Sequence, residues 1–238
     1  MVLETDRDPN RESASRFPTI VKENLSERAY LALREALMRG HLLPGERLLL
    51  RPTSQRFGIS VTPMREAFMR MISTNALGLD GRGTVFVPVL MRDELIEIRN
   101  IRIDLEGRAA AEAASVATQP DIDALEAIQA RIADCHKSEA FAEAVEFNTQ
   151  FHLALCRAAR LPILLDIVEN LWVRCGPILS HLYDGGVPDW NPHPHEDVLH
   201  ALRARDAKGC KAAIQYDIKN GGKGLLQYVS NAGLAPRP

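Results

Sequence analysis

The sequence has no run approaching the ~20 consecutive apolar residues that a bilayer crossing requires. Its opening stretch, Met1 to Pro18, is polar and mixed in charge, unlike the basic-then-apolar order of a leader. A membrane protein and a secreted one are both disfavoured, and a cytoplasmic address is expected. Cysteine is scarce: Cys135, Cys156, Cys175 and Cys210 are far apart, and none forms a C-x-x-C pair. They sit in apolar, helix-like patterns and read as reduced core residues, which argues against a disulfide scaffold or a zinc knuckle. A large net charge is also lacking, at −2. With 46% hydrophobic and 25% charged residues, neither disorder nor a collagen-like repeat fits, and 238 residues suffice for one or two domains with their own cores.

The near-neutral total conceals an asymmetry. Residues 17–90 carry ten Lys/Arg against six Asp/Glu, whereas residues 91–238 carry sixteen against twenty-one. A basic N-terminal third on an acidic body is the distribution of a DNA-contacting head joined to a body that does not touch DNA.

Residues 1–18 show no apolar period and are expected to form a flexible arm. From Ser26 a helical pattern runs through Ala29, Leu33, Ala36 and Leu37 to Gly40. Leu48 to Leu50 is a short strand candidate. A short helix is expected over Pro52 to Phe57, stopped by Gly58, and a third from Thr62 to about Asn75 with Pro63 in its first turn. Leu77 to Leu90 reads as two strands around Asp80-Gly81-Arg82-Gly83. Helix, turn, helix and a hairpin with a basic tip is the order of a winged helix-turn-helix over 19–90. A recognition helix needs short polar residues and arginines at its N-terminal end, where the helix dipole meets phosphate. Ser60, Val61, Thr62, Pro63 and Arg65 occupy that end, Arg51 the start of the preceding helix, and Arg82 and Gly83 the wing tip.

After Leu90 the texture becomes almost entirely helical. Turn signals at Thr118-Gln119-Pro120, Leu161-Pro162, Asp184-Gly185-Gly186 and Arg205-Asp206 divide it into six helices: 91–117, 121–137, 139–160, 162–183, 194–205 and 207–229. The fold class is therefore mainly α, an N-terminal winged helix-turn-helix followed by an all-α bundle over 91–231 and a tail over 232–238.

Two segments carry a family resemblance. Gly40-His41-Leu42-Leu43-Pro44-Gly45-Glu46-Arg47-Leu48 resembles the G-x-L-x-P-G-x-x-L element of GntR-family transcription regulators, and Gly58 to Ala67 resembles their recognition-helix signature. Val61 stands where the family commonly has arginine, so the usual half-site does not carry over. The second half is similar to the helical FCD domain of the FadR-type subclass: Arg102 to Glu106 matches R-x-x-L-E, Asn148 to His152 matches D-x-x-F-H, and His195 to Asp206 matches H-x-x-I-L-x-A-L-x-x-x-D. Many FCD domains hold a divalent metal with one Asp and three His, and the corresponding positions here are Asn148, His152, His195 and Asp217. The first is an amide in place of Asp, and the last an Asp in place of His.

Asn148 and His152 are four residues apart and share a helix face. Two imidazoles and a carboxylate suffice for zinc, nickel, manganese or iron, with Asn148 as a weak fourth donor; the alternatives are histidines paired with Asp217 and Asn148 without an ion, or histidines that meet the effector directly. The resemblance turns Arg102 toward the effector cavity, where a guanidinium suits a carboxylate, and an internal pair with Glu106 competes with that reading. Effector-binding residues are accordingly Arg102, Asn148, His152 and His195. Trp172, Arg174, His181 and Tyr183 are weaker wall candidates, and His193, between prolines, reads as a loop residue. The expected protein is a homodimer on a palindromic double-stranded DNA operator, acting as a repressor and answering to a small carboxylate. The competing class is a metal-dependent hydrolase using His152, His195 and Asp217, for which no accompanying general base stands at convincing spacing.

Overall fold

The computed structural model describes residues 25–183 and 192–231. The expected arm over 1–18, the turn over 184–186 and the tail over 232–238 lie outside them.

The head comprises α1 (Leu25–Met38), β1 (Arg47–Leu48), α2 (Leu50–Arg56), α3 (Val61–Ser73), β2 (Gly78–Leu79) and β3 (Val85–Phe86). Ala29, Leu33 and Leu37 recur every four residues, so α1 buries one stripe, and it lays that stripe on Met64, Ala67, Phe68 and Met71 of α3. Leu48, Leu77, Val85 and Val87 close the core from the sheet side. The sheet is antiparallel in the order β1-β3-β2, with Arg47 opposite Phe86 and Leu79 opposite Val85. α2 begins at Leu50, so the expected strand is cut short and Pro52 falls in the first helical turn, where its missing N–H is harmless. Between α2 and α3 the chain reverses on Gly58, whose φ of +64° an L side chain rarely adopts.

The body is a bundle of α4 (Arg92–Val116), α5 (Gln119–Lys137), α6 (Phe141–Ala158), α7 (Pro162–Leu179), α8 (Pro194–Arg203), α9 (Ala207–Gly221) and α10 (Lys223–Asn231). Among the described residues this is one helix more than expected, because the segment read as 207–229 divides at Gly222. Two adjacent glycines, the weakest helix formers after proline, permit the break. α4 lies against α9, α5 against α6, and α8 against α9. Buried Ala109, Ala110, Ala113 and Ala114 leave α4 with little side-chain bulk along that stretch.

Head and body meet where α1 crosses α7. A Cβ on Gly176 would stand 2.1 Å from the Leu37 carbonyl oxygen, so only glycine permits this approach. Val173 of α7 belongs to the head's core, and Met38 packs on both cores. Around this contact Arg39 and His41 each reach Glu146 at 2.9 Å.

Candidate nucleic-acid interface and metal centre

Most arginines of the head are already engaged. Arg34 reaches Glu169, Arg39 pairs with Glu146, and Arg70 pairs with Glu27 while lying over the Tyr30 ring. Arg51, Arg65 and Arg82 are exposed and form no ion pair or side-chain hydrogen bond among the described residues. They stand at the start of α2, in the second turn of α3 and at the wing tip. Ser60 is the N-cap of α3, yet its hydroxyl makes no capping hydrogen bond; Thr62 beside it is exposed, while Val61 and Pro63 are half-buried. The wing is held by Asp80, whose Oδ1 accepts from the N–H groups of Arg82 (2.9 Å) and Thr84 (2.8 Å). Gly83 at φ +80° completes the reversal that presents Arg82. Exposed Arg56, unpaired at the end of α2, has the same character, and its sequence context resembles that of any solvated arginine.

The second constellation is buried. His152 on α6, His195 in the first turn of α8 and Asp217 on α9 bring one ligand atom each to within 4.8 Å of one another. His152 lies between two carboxylates: Nδ1 is 2.7 Å from Glu106 Oε2, and Nε2 is 3.0 Å from Asp217 Oδ2. His195 points Nδ1 at Gln129 Oε1 (2.9 Å) and Nε2 toward Asp217 Oδ2 (3.8 Å), with its ring stacked on Phe151 at 3.7 Å.

These contacts set the protonation pattern. Burial opposes charge on His152, but Glu106 and Asp217 outweigh it and raise its pKa. Burial also dominates at His195 and lowers its pKa, leaving the ring neutral. If Nδ1 of a neutral His195 donates to Gln129, its Nε2 carries a lone pair aimed toward a carboxylate, and that atom is buried without a hydrogen-bond partner. A lone pair facing a carboxylate repels; a cation between them removes the repulsion. The same logic applied to His152, with Nδ1–H donated to Glu106, frees its Nε2 toward Asp217. Carboxylate and amide partners on the far ring nitrogens are the usual support of metal-binding imidazoles. The residues present therefore fit a divalent metal, which His152, His195 and Asp217 could hold with Glu106 and Gln129 orienting the rings. Gln129 escaped sequence reasoning because nothing local marks a glutamine whose partner lies 66 residues away.

Beside this cluster is a cavity of about 60 Å³ lined by α4, α6, α7, α9 and α10, with Arg102, Asn148, His152 and Asp217 in its wall. Arg102 pairs internally with Glu106 and also stands in the cavity wall. It donates Nε–H to Glu106 Oε1 (2.6 Å) and lies 3.8 Å over Trp172 while lining the cavity. Trp172 donates Nε1–H to the same Glu106 oxygen at 3.2 Å. Tyr183 also lines the cavity, whereas Arg174 faces a cleft against the winged head and His181 stacks on Tyr228. His193 caps α8: its Nδ1 accepts from the N–H of His195 (3.2 Å), and burial lowers its pKa to about 3, which preserves that acceptor.

A winged helix with exposed arginines that make no ion pair among the described residues, packed through one helix on a helical body with a cavity, defines a DNA-binding transcription regulator. Comparison makes the assignment specific. Residues 25–87 match the profile "Bacterial regulatory proteins, gntR family", residues 97–220 match the FCD domain, and the chain belongs to the GntR family of regulators that carry an FCD domain. It is 34% identical over 185 residues to the HTH-type transcriptional regulator McbR of Escherichia coli K12, covering 76% of this chain and 84% of that one. It is 26% identical over 196 residues to the transcriptional repressor RspR of the same organism, across 80% and 84% of the two chains. The solved structure of E. coli McbR/YncC superposes with a TM-score of 0.80 at 30% identity, over 87% of this chain and 99% of that one. A regulator from Rhodococcus sp. RHA1, at 18% identity and a TM-score of 0.68, shares the fold. Family and relatives are transcription regulators and not enzymes, and the hydrolase reading finds no support in them. Among the described residues no helix is long and apolar enough to cross a membrane.

Proposed function

We propose that the protein is a metal-assisted, carboxylate-responsive repressor that binds a palindromic operator as a homodimer in the cytoplasm. Each head reads one half-site with α3 and one wing, through Arg51, Ser60, Val61, Thr62, Pro63, Arg65, Arg82 and Gly83. Two-fold protein symmetry then matches operator symmetry. In the body, His152, His195 and Asp217 would hold the metal, with Asn148 beside them. Bound there, the ion supplies a Lewis acid to which a carboxylate oxygen can attach. Arg102, already oriented by Glu106 and Trp172, receives the other oxygen.

One observation carries the regulatory part: α7 serves both ends. Trp172, Cys175 and Leu179 line the cavity, while Val173 and Gly176 form the seat of α1. An occupant that prefers one placement of α7 thereby biases the heads, by no more than its differential affinity for the two states. Repression with release by effector is the sign that RspR's name supports.

Selection of binding sites from random duplexes tests the first half of the proposal. Enrichment of an inverted repeat with half-sites about one helical turn apart is expected; a single asymmetric site, or no enrichment, overturns it.

A further inference from the structure

α4 presents two arginines to the cavity, Arg99 and Arg102, three residues apart and therefore on one helix face. Their electrical situations differ. The charge of Arg102 is answered by Glu106 at 2.6 Å. Arg99 has no ion-pair or hydrogen-bond partner among the described residues, and its Nε is buried without one. Its Cδ would lie 3.8 Å from a Cβ on Gly222, which places Arg99 beneath the break between α9 and α10. Leu225 of α10 lines the cavity beside it.

A buried donor left unsatisfied is costly and calls for an explanation. The two carboxylates lining or backing the cavity are both engaged, Glu106 by Arg102, His152 and Trp172, and Asp217 by His152. Asp217 is the one carboxylate in the cavity wall itself among the described residues. Among the described residues Arg99 is therefore the one cation of this wall without a counter-charge, and its forked donors suit a carboxylate.

We infer that the effector is a small dicarboxylate, one carboxylate directed to Arg102 and the His152/His195/Asp217 cluster, the second received by Arg99 under the α9–α10 break. The inference rests on the carboxylate-effector reading above and adds its second anionic group. A monocarboxylate would leave Arg99 unanswered or press an apolar end against it. The cavity is small, at about 60 Å³, so the acid is short.

Calorimetric titration of the full-length, zinc-supplemented protein with acids paired by chain length, succinate with butyrate and glutarate with pentanoate, tests this. At least one dicarboxylate is expected to bind roughly tenfold to a hundredfold tighter than its partner, the range of a charge-assisted hydrogen bond. Arg99→Gln should reduce the dicarboxylate to the monocarboxylate's affinity and leave the latter unchanged. Arg99→Lys, which keeps the charge but not the fork, should retain part of the preference and guards against a folding defect in the first variant. Arg102→Gln should weaken both acids alike. Equal affinity within every pair, or a preference that survives Arg99→Gln, overturns the dicarboxylate inference alone. If neither kind of acid binds the wild type, the carboxylate reading falls with it.

Discussion

Glu106 offers the sharpest perturbation of the buried centre. Burial would raise its pKa, but Arg102 and His152 more than reverse this and hold the carboxyl down from 4.5 to about 2. A shift of that size corresponds to roughly 3 kcal/mol of stability, present above pH 4.5 and lost as pH falls through about 2. Glu106→Gln retains one oxygen and gains an NH₂. With the oxygen toward Arg102 Nε and Trp172 Nε1, both donors stay satisfied, and the NH₂ then meets His152 Nδ1. The opposite orientation sets the NH₂ against those two donors and is worse. A donor at Nδ1 forces the His152 proton onto Nε2, the atom 3.0 Å from Asp217, and removes the lone pair a metal requires. The expected result is a loss of about 3 kcal/mol in denaturant unfolding at neutral pH, as for a broken buried ion pair. Zinc affinity should fall by about tenfold to a hundredfold in a chelator competition. Wild-type stability should also decline between pH 4.5 and about 2 in a way the variant's does not. Unchanged zinc affinity in a folded Glu106→Gln protein would refute the tautomer argument and, with it, the assignment of Glu106 as the support of a metal-binding His152.

Arg65→Ala is expected to nearly abolish operator binding in a gel shift, with the dimer intact by light scattering and the salt slope reduced by about one; undiminished binding would mean that α3 does not face DNA. Gly176→Ala drives a methyl group to 2.1 Å from the Leu37 carbonyl and should unseat the head, so that effector binding persists while its effect on DNA affinity disappears; intact coupling would overturn the role given to α7. Metal dependence should follow pH with a defined sign. In the metal-free protein the raised pKa of His152 stabilises the fold fully below its ordinary 6.5, and that contribution is lost as pH rises through the raised value. A metal needs the neutral ring and gains over the same range, so zinc should raise Tm more at about pH 8 than at about pH 6; an equal increment at both would count against His152 as a ligand.

Much of the molecule was readable because its signals are local. The four-residue spacing of Ala29, Leu33 and Leu37, the reversal at Gly58 and the Asp80 to Gly83 turn each encode their own geometry, and together they order the winged head. His152 was legible for a similar reason, since Asn148 lies one turn before it. What escaped depends on distant partners. Arg99 and Arg102 look alike in a helix, and only the fold pairs one with Glu106 and leaves the other without a partner. Trp172 was only a weaker wall candidate, because nothing local shows that its ring, though fully buried, lies under Arg102 and forms part of the cavity wall. The break at Gly222 was hidden because Ile214, Ile218, Leu225 and Val229 keep an apolar rhythm on both sides of it.

The exchange of residues at 148 and 217 can also be read as a transposition. Relative to one Asp and three His, this chain keeps a single carboxylate, moved from α6 to α9, and replaces one imidazole by the amide of Asn148. The charge of the proposed donor set is thereby conserved while its hardness would increase, since an amide oxygen favours manganese and iron over zinc and nickel in comparison with an imidazole. Asn148→His should therefore raise zinc affinity by about tenfold while leaving manganese almost unchanged. The ratio of the two constants, measured by competition against a common chelator, cancels any general change in the cavity. If the substitution shifts both metals equally, Asn148 acts on the site only through packing; if it shifts neither, its side chain is not directed at the metal and belongs to the effector's wall alone.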